Sequence, residues 1–522
     1  MERVAPRDLK PLLTAGGEIA FLDVREQGQY GEGHPFFATP LPYSRLEIGA
    51  PALLPRKGVR IVLLDDGDGV AEKAARRLAG MGYRNLAVLE GGAPGWAAAG
   101  YTLFKGVNVP SKTFGEMVEH ECRTPNLSAE KLKAMQEKGD DFILLDGRPI
   151  HEYCCFTIPG STCCPNAELG HRLPLLLEDE DTPIVVNCAG RTRSIMGAQN
   201  LREMGFKNPI FALRNGTQGW LLAGYELEYG SERFYPEVVS GTAMAQSRAR
   251  AAHLRARHDI PLVDAATLES WRADPDRTLY LLDVRTAAEY EAGHLPGAQH
   301  APGGQAVQAT DQWVAVRGAR IVLCDDTGLR AGITAHWLRG MGHEAYVLDE
   351  DVSKLTDTET GTPEAALATD PLPEITPVEL AAGLQSGALT LLDVNVGMAY
   401  RDGHIDGARW ACRPRLGRLG LAPGTPVVLT AKDRRRAQLA ALDLAELGIG
   451  PVRYLAGGRA EWEAAGLKIV ESPNDPSEAD CIDYLFFVHD RQNNLDHARG
   501  YLAWEVGLMD QMDEQEKGVF RL

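Results

Sequence analysis

One five-residue phrase, two apolar residues followed by Asp, a Val or Gly, and Arg or Asn, occurs four times in the 522-residue chain. Its copies occupy residues 21–25, 144–148, 281–285 and 391–395. Successive copies lie 110 to 137 residues apart, measured between Asp23, Asp146, Asp283 and Asp393. A solenoid repeat spans only about 20–45 residues, whereas this spacing is that of a globular domain. The repeat therefore predicts four separate globular domains.

The same order of predicted elements follows each phrase. A short β-branched run without alternation comes about 40 residues later, which is typical of a strand buried on both faces of a parallel sheet. A helical pattern follows and ends on Gly, a common helix C-cap, and then a third apolar run. The second runs are 60–64, 183–187, 320–324 and 426–430; the helices 71–81, 194–204, 331–341 and 437–447; the third runs 86–89, 209–213, 345–348 and 452–455. This alternation predicts an α/β fold with a central parallel sheet flanked by helices.

Further short motifs recur in a fixed order within the copies. They are Gly293-His294 with Gly297-Ala298, Gly403-His404 with Gly407-Ala408, and the terminal sets Gly91-Gly92 with Trp96, Asn215-Gly216 with Trp220, and Gly457-Gly458 with Trp462. Together with the repeated phrase, this order resembles the rhodanese homology domain over roughly residues 1–470. The resemblance implies four tandem rhodanese-like domains at residues 1–108, 109–232, 233–355 and 374–472, followed by a C-terminal extension at residues 473–522.

Charge and composition exclude several classes of partner. The formal net charge of −18 disfavours binding to nucleic acid and to anionic membranes. No run approaches the ~18 apolar residues of a membrane span, and the N-terminal residues lack the apolar core of a signal peptide. We therefore expect a cytoplasmic protein. Nine cysteines, an odd number without metal-ligand spacing, argue against a disulfide framework and against a metal site, and no cofactor is expected.

Two segments lie outside the repeat pattern. Residues 351–373 are acidic and rich in Thr and Pro, which predicts a linker. Residues 484–522 show a helical apolar pattern, which predicts packing on a domain of this chain or on another subunit, in a homodimer.

A single copy carries sulfur directly after its second strand. Cys188 occupies that position in copy two, where the other copies have Asp65, Asp325 and Ala431. In a strand–loop–helix unit, the loop N–H groups and the positive end of the helix attract an anion. Together with Arg191 and Arg193 they are expected to lower the pKa of the Cys188 thiol. The sequence therefore predicts that Cys188 is a nucleophile and that the other three copies are degenerate.

The length of the loop separates two reactions within the resemblance. Rhodanese-like sulfurtransferases use a six-residue loop, and 188–193 has six residues. Related phosphatase sites use a longer loop with Arg at the sixth place after Cys, where this chain has Ser194. The resemblance thus favours a sulfurtransferase over a phosphatase-like hydrolase, which stays a disfavoured alternative.

The resemblance also implies a mechanism and a set of binding residues. The Cys188 thiolate would attack the outer sulfur of a small anionic donor such as thiosulfate, and a thiol or cyanide would collect sulfur from the resulting persulfide. The loop N–H groups would bind the anionic sulfur; the residues are Ala189, Gly190, Arg191, Thr192, Arg193 and Ser194. The two arginines would either hold the donor or pair with nearby carboxylates.

The donor and the manner of sulfur delivery stay open at this stage. The loop Cys-Ala-Gly-Arg-Thr-Arg matches neither of the family patterns associated with thiosulfate and with mercaptopyruvate. A persulfide carrier or scaffold that delivers sulfur to a bound partner is the second alternative. One of four further cysteines in copy two could resolve the persulfide as a disulfide, although structural thiols are the favoured interpretation; the four are Cys154, Cys155, Cys163 and Cys164. Cys324, His294 and His404 are expected to be structural.

Overall fold

The computed structural model describes residues 1–352, 358, 369, 371–489 and 494–522. It contains four α/β modules, each built on a sheet whose internal strands are parallel. Most of the predicted linker at 351–373 lies outside the described residues. No helix in the described part of the chain combines the length and apolar character needed to cross a membrane.

Module 1 forms a sheet in the order β1-β5-β4-β2, with β3 also paired to β2. Its strands are β1 (Glu2–Val4), β2 (Ile19–Asp23), β3 (Thr39–Pro40), β4 (Arg60–Leu64) and β5 (Asn85–Leu89), and its helices are α1 (Pro6–Leu12), α2 (Gln27–Glu32), α3 (Leu46–Leu53), α4 (Val70–Gly80) and α5 (Gly92–Ala98).

Module 2, the copy with a cysteine directly after the second strand of its repeat, has the strand order β6-β10-β9-β7-β8. Its strands are β6 (Asn126–Leu127), β7 (Ile143–Asp146), β8 (Thr162–Cys163), β9 (Ile184–Asn187) and β10 (Ile210–Leu213). Its helices are α6 (Val109–Glu121), α7 (Ala129–Lys138), α8 (Ile150–Cys155), α9 (Leu169–Arg172), α10 (Thr192–Glu203) and α11 (Gly216–Leu222).

Module 3 has the order β11-β16-β15-β12-β13, and one further strand, β14, lies outside this sheet. Its strands are β11 (Leu262–Val263), β12 (Leu279–Asp283), β13 (Gln299–His300), β14 (Val316–Arg317), β15 (Arg320–Cys324) and β16 (Glu344–Leu348). Its helices are α12 (Gly241–His258), α13 (Ala265–Arg272), α14 (Ala287–Ala292), α15 (Gly303–Gln308) and α16 (Leu329–Gly340).

Module 4 has the order β17-β22-β21-β18-β20, with a small antiparallel pair β19-β23 beside it. Its strands are β17 (Glu374–Ile375), β18 (Thr390–Asp393), β19 (His404–Ile405), β20 (Ala408–Trp410), β21 (Val427–Thr430), β22 (Val452–Leu455) and β23 (Ile469–Val470). Its helices are α17 (Pro377–Gln385), α18 (Gly397–Asp402), α19 (Arg434–Glu446) and α20 (Gly458–Ala464). The extension adds α21 (Phe486–His489), α22 (Leu495–Val506), α23 (Leu508–Gln511) and α24 (Glu514–Lys517).

The repeated phrase forms a buried ion pair in modules 1, 2 and 3. Its Asp is buried at the end of a strand and pairs with the Arg two residues later, at 2.6 Å for Asp23–Arg25 and 2.7 Å for Asp146–Arg148. The same pair forms at 2.6 Å between Asp283 and Arg285. In module 4, Asn395 replaces the arginine and donates to Asp393. Because the Asp–Arg pair is also present in modules 1 and 3, which have Asp65 and Asp325 in place of Cys188, we interpret it as a support for the loop after the strand.

Modules 1 to 3 pack closely against one another, which the repeat pattern does not predict. One continuous core of buried side chains includes Ile61 of module 1, Val186 of module 2 and Ile321 of module 3. The strand β14 leaves module 3 and pairs antiparallel with β2 of module 1, so that Val316 faces Ala20. The sequence pattern missed this arrangement because it reports the apolar character of an element and not which neighbour covers it.

Buried ion pairs join the modules in addition to the shared core. Arg330 of module 3 is fully buried and contacts Glu168 of module 2 at 2.9 Å and Glu289 of its own module at 2.6 Å. Arg172 of module 2 contacts the same Glu289 at 2.9 Å. Glu289 thus lies between two arginines at the boundary of modules 2 and 3.

Candidate active site

The loop that carries Cys188 connects β9 to α10. The helix begins at Thr192, two residues before the predicted start, so that the first helical turn already includes Thr192 and Arg193. The N–H groups of Ser194 and Ile195 donate to the Arg191 carbonyl at 3.1 Å. Within the described residues, the backbone N–H groups of residues 189–193 make no hydrogen bond. This loop therefore places uncommitted N–H groups next to a cysteine.

The Cys188 thiol is buried, with 2% of the residue exposed, and donates to Ser194 Oγ at 3.6 Å. Burial raises the pKa of this thiol, because the charged thiolate loses its hydration. The positive charge of Arg193 and the hydrogen bonds of Ser194 lower the pKa, and the negative charge of Glu505 raises it further. The predicted lowering of the pKa is therefore wrong in sign, since burial outweighs the favourable charges.

Both loop arginines are held in ion pairs. Arg191 makes a two-pronged contact with Glu116, at 2.7 and 2.8 Å, and also contacts Glu119. Arg193 contacts both carboxylate oxygens of Glu152, at 2.7 and 2.8 Å. Of the two predicted roles, pairing with nearby carboxylates is the one observed. A donor that binds to either guanidinium group therefore has to share it with these carboxylates or displace them.

A cavity of about 170 Å³ lies beside the loop. Ala189 and Gln218 form one side of it, and Glu152, Cys155 and Phe156 line another part. Cys155 is exposed, and its thiol donates to the His151 carbonyl at 3.2 Å. It is the member of the four predicted candidates that lines this cavity, whereas burial raises the pKa of both Cys163 and Cys164 and leaves them structural.

In modules 1 and 3, a side chain of the corresponding loop accepts hydrogen bonds from the loop's own N–H groups. The Asp65 carboxylate accepts the N–H groups of Gly67, Gly69 and Ala71 at 2.8, 3.0 and 3.0 Å. Asp325 accepts those of Gly328 and Arg330 at 2.6 and 3.0 Å. A carboxylate in this position uses the N–H groups that an anionic substrate would need, while module 4 has the methyl group of Ala431.

The histidines and the third module's cysteine hold structural positions. His294 stacks on Tyr290 at 3.9 Å and His404 on Tyr400 at 3.7 Å, each with Nδ1 at a tyrosine carbonyl. Cys324 is fully buried, and its thiol donates to the Leu282 carbonyl. These contacts are those of structural side chains, as predicted for all three residues, and Cys324 lies in the core.

A glycine at the start of α11 packs directly against the loop. Gly216 has φ +50°, and a Cβ built on it would lie 2.1 Å from the Cys188 carbonyl oxygen. The next residue, Thr217, donates its backbone N–H to the same oxygen at 2.8 Å. The Asn215-Gly216 motif therefore fixes the position of the Cys188 backbone.

The C-terminal extension also reaches the loop. Thr192 Oγ1 donates to Glu505 Oε1 at 2.8 Å, and Tyr501 of the same helix, α22, lies close to Gly190. The extension continues across modules 1 and 3, where Leu508 is fully buried and Arg521 donates its N–H to the Gly340 carbonyl. Of the two predicted positions for the extension, packing on a domain of this chain is observed. Glu116, Glu119 and Glu505 were missed by sequence reasoning, because no motif links them to the loop.

Comparisons with known proteins agree with this architecture. The model of the rhodanese-like domain family matches residues 5–99, 128–223, 264–358 and 376–465. The crystal structure of a thiosulfate sulfurtransferase from Pseudomonas aeruginosa is 41% identical, with a TM-score of 0.92 and full coverage of both chains.

A putative sulfur carrier protein of Bacillus subtilis (strain 168), YrkF, is 30% identical over 102 residues, which make up 20% of this chain. The match spans 54% of that relative, about half of its length. Since the family model covers well over half of the chain, in four copies that coincide with the four modules, the protein belongs to the rhodanese-like domain family.

Proposed function

We propose that the protein is a sulfurtransferase in which Cys188 carries sulfane sulfur as a persulfide. The Cys188 thiolate attacks the outer sulfur of thiosulfate or a similar small anionic donor; a bond forms between the two sulfurs, and the bond to the sulfonyl sulfur breaks. Sulfite leaves with the electron pair of that bond, so that no oxidant or reductant is required. A thiol or cyanide then attacks the outer sulfur of the persulfide and regenerates the Cys188 thiolate.

The observation that carries this proposal is the contrast between the four loops. The loop of module 2 combines a cysteine with uncommitted N–H groups from Ala189 to Arg193, whereas Asp65 and Asp325 use the equivalent groups for their own carboxylates. We propose that these N–H groups, together with Ser194, stabilise the terminal anionic sulfur of the persulfide. The similarity to a thiosulfate sulfurtransferase along the whole chain supports the same reaction class.

The burial of Cys188 sets a condition on this mechanism. A buried thiol with a raised pKa is mostly protonated at neutral pH. The thiol proton therefore has to leave when the donor binds, and the donor has to reach Sγ through the cavity beside Ala189. We propose that this cavity is the route of both the donor and the acceptor, and that the reaction takes place in the cytoplasm.

Mass spectrometry of the intact protein tests the proposal. Incubation with thiosulfate should add one sulfur, about 32 Da, to the wild-type chain and none to Cys188→Ala. The matched control is Cys324→Ala, which removes a buried thiol from the equivalent region of module 3 and should label normally. Labelling of Cys188→Ala would refute the proposal, as would the absence of labelling by thiosulfate and by organic sulfane donors alike.

A persulfide carrier is the second candidate function, favoured by the similarity to a putative sulfur carrier protein. Addition of cyanide distinguishes the two functions. Repeated production of thiocyanate indicates a sulfurtransferase, whereas a single stoichiometric release indicates a carrier that needs a bound partner. Cys188-dependent hydrolysis of p-nitrophenyl phosphate would instead indicate the disfavoured phosphatase.

A further inference from the structure

The carboxylate of Glu505 is buried beside the Cys188 loop without a matching cation. Glu505 is 2% exposed, and Oε1 accepts a hydrogen bond from Thr192 Oγ1 at 2.8 Å. Its second oxygen, Oε2, makes no hydrogen bond with any described residue, and no described cationic group lies within 4.0 Å. A buried carboxylate in this condition is costly and is rarely kept for stability alone.

The unpartnered oxygen faces the loop itself. A Cβ built at Gly190 would lie 3.1 Å from Glu505 Oε2 and 3.8 Å from the amide nitrogen of Gln218. Neither polar atom of the Gln218 side chain has a hydrogen-bond partner within the described chain, although this residue is 4% exposed. Two uncommitted polar atoms, Glu505 Oε2 and the amide nitrogen of Gln218, therefore lie near Gly190, and Gln218 also lines the cavity beside the loop.

Neighbouring elements hold α22 in place without neutralising Glu505. Lys112 of α6 lies with Nζ 5.1 Å from the ring centre of Tyr501 and 4.7 Å from that of Trp504. Arg191 interacts electrostatically with Glu505, but its guanidinium forms ion pairs with Glu116 and Glu119, so that one cation faces three carboxylates. The negative charge of Glu505 accordingly raises the pKa values of Cys188 and Glu116.

We propose that Glu505 is a specificity-determining residue of the Cys188 site. Its carboxylate disfavours sulfane donors that bring a second negative charge close to Gly190, and it favours donors that have an uncharged group at that position. This inference rests on the proposed sulfurtransferase function and names its substrate class. The physical reason is electrostatic repulsion: a donor oxyanion near Gly190 meets a buried carboxylate that has no ion-pair partner of its own among the described residues. The uncharged Gln218 amide on the same side can bind a neutral polar group.

Two donors that differ by one charge test the proposal. Thiosulfate is a dianion, and methanethiosulfonate is a monoanion in which a methyl group replaces one oxygen; they release sulfite and methanesulfinate, respectively. Glu505→Gln removes the charge and should increase kcat/KM for thiosulfate relative to kcat/KM for methanethiosulfonate by about fivefold or more. About fivefold is the effect on a rate of one unit charge at a distance of about 4 Å in a water-like environment. An unchanged ratio would overturn the proposal.

Alkylation of Cys188 gives a readout that does not depend on sulfur transfer. Iodoacetate and iodoacetamide are similar in size and differ by one negative charge. Glu505→Gln should lower the ratio of the iodoacetamide rate to the iodoacetate rate by a similar factor, while Glu514→Gln, an exposed residue of the same extension, should leave it unchanged. If Cys188 takes sulfur from no donor but this ratio still shifts, the proposed function fails and the electrostatic role of Glu505 stands.

The wild-type protein supplies a measurement that needs no variant. Peptide mapping after partial alkylation compares Cys188 with the exposed Cys155 in the same molecule. The preference for iodoacetamide over iodoacetate should be larger at Cys188 than at Cys155. Equal preferences at the two thiols would contradict the proposal even if Glu505→Gln did not fold.

Discussion

Replacement of Gly216 by Ala should inactivate the Cys188 site. The added Cβ would lie 2.1 Å from the Cys188 carbonyl oxygen and 2.9 Å from that of Gly190. Since a carbon and an oxygen approach each other to about 3.3 Å at the closest, the loop has to move by about 1 Å. A displacement of about this size at a reacting group costs about 10²-fold in rate. We therefore expect a loss of about 100-fold in the rate of Cys188 persulfide formation.

Equivalent glycines in two other modules provide matched controls. Gly92 of module 1 and Gly458 of module 4 have φ values of +59° and +58°, close to the +50° of Gly216. A Cβ at Gly92 would lie 2.3 Å from the Asp65 carbonyl oxygen, whereas a Cβ at Gly458 meets nothing within 4 Å. The left-handed backbone alone costs a non-glycine residue about 1–2 kcal/mol. Gly458→Ala should show this cost alone, and Gly92→Ala should destabilise module 1 without slowing Cys188.

The assay is the rate of mass increase with thiosulfate at several concentrations, measured together with the urea midpoint of each variant. The reasoning requires a specific effect of Gly216→Ala on Cys188 that neither control shares. If Gly216→Ala forms the persulfide at the wild-type rate, or if Gly458→Ala slows it equally, then the contact between Gly216 and the loop does not position Cys188.

Three further predictions concern the ion pairs and the degenerate loops. Asp65→Cys should add no second persulfide, so that thiosulfate still adds one sulfur per chain in the mass spectrum, because the neighbouring acidic side chains disfavour a thiolate; a gain of two sulfurs would refute this. Glu116→Gln should weaken the bidentate ion pair that holds Arg191. The arginine can then bind the donor, so that KM for thiosulfate in the thiocyanate assay should fall several-fold. An unchanged KM would show that Arg191 does not contact the donor. Glu289 lies between Arg330 and Arg172, which against the effect of burial lower the pKa of its carboxyl group from 4.5 to about 2. The ionised carboxylate therefore contributes about 3 kcal/mol to the stability of the folded protein above pH 4.5, and this contribution is lost as the pH falls towards 2. Glu289→Gln should accordingly lower the urea midpoint at pH 7, and the difference from the wild type should shrink at pH 3; a difference that does not depend on pH would contradict the assignment.

The local architecture could be predicted from the sequence because it is encoded locally. The predicted runs 60–64, 320–324 and 452–455 coincide with β4, β15 and β22, and the other strands and helices of the repeat differ by a few residues at their ends. Each of these runs contains enough consecutive apolar residues to predict a buried strand, and the glycine after each helical pattern predicts the end of the helix. The choice of Cys188 among nine cysteines likewise followed from its position after a predicted strand.

The surroundings of Cys188 could not be predicted in the same way. Glu116 lies 72 residues before Cys188 in the chain and Glu505 lies 317 residues after it, and neither belongs to a motif. The sign of the Cys188 pKa shift depends on how completely the packed modules and α22 exclude water, which no local pattern records. Tertiary packing, and not the loop sequence, therefore decides the charge that a substrate meets.

The strand that module 3 contributes to module 1 constrains how the protein can be made. Because Val316 and Arg317 cover the edge at Ile19 and Ala20, the first sheet is complete only after more than 300 residues have left the ribosome. Until then the nascent chain exposes an unpaired β-edge, a surface prone to aggregation. A truncated gene product that ends after module 2 is therefore expected to be poorly soluble on its own, because it lacks the strand that covers this edge.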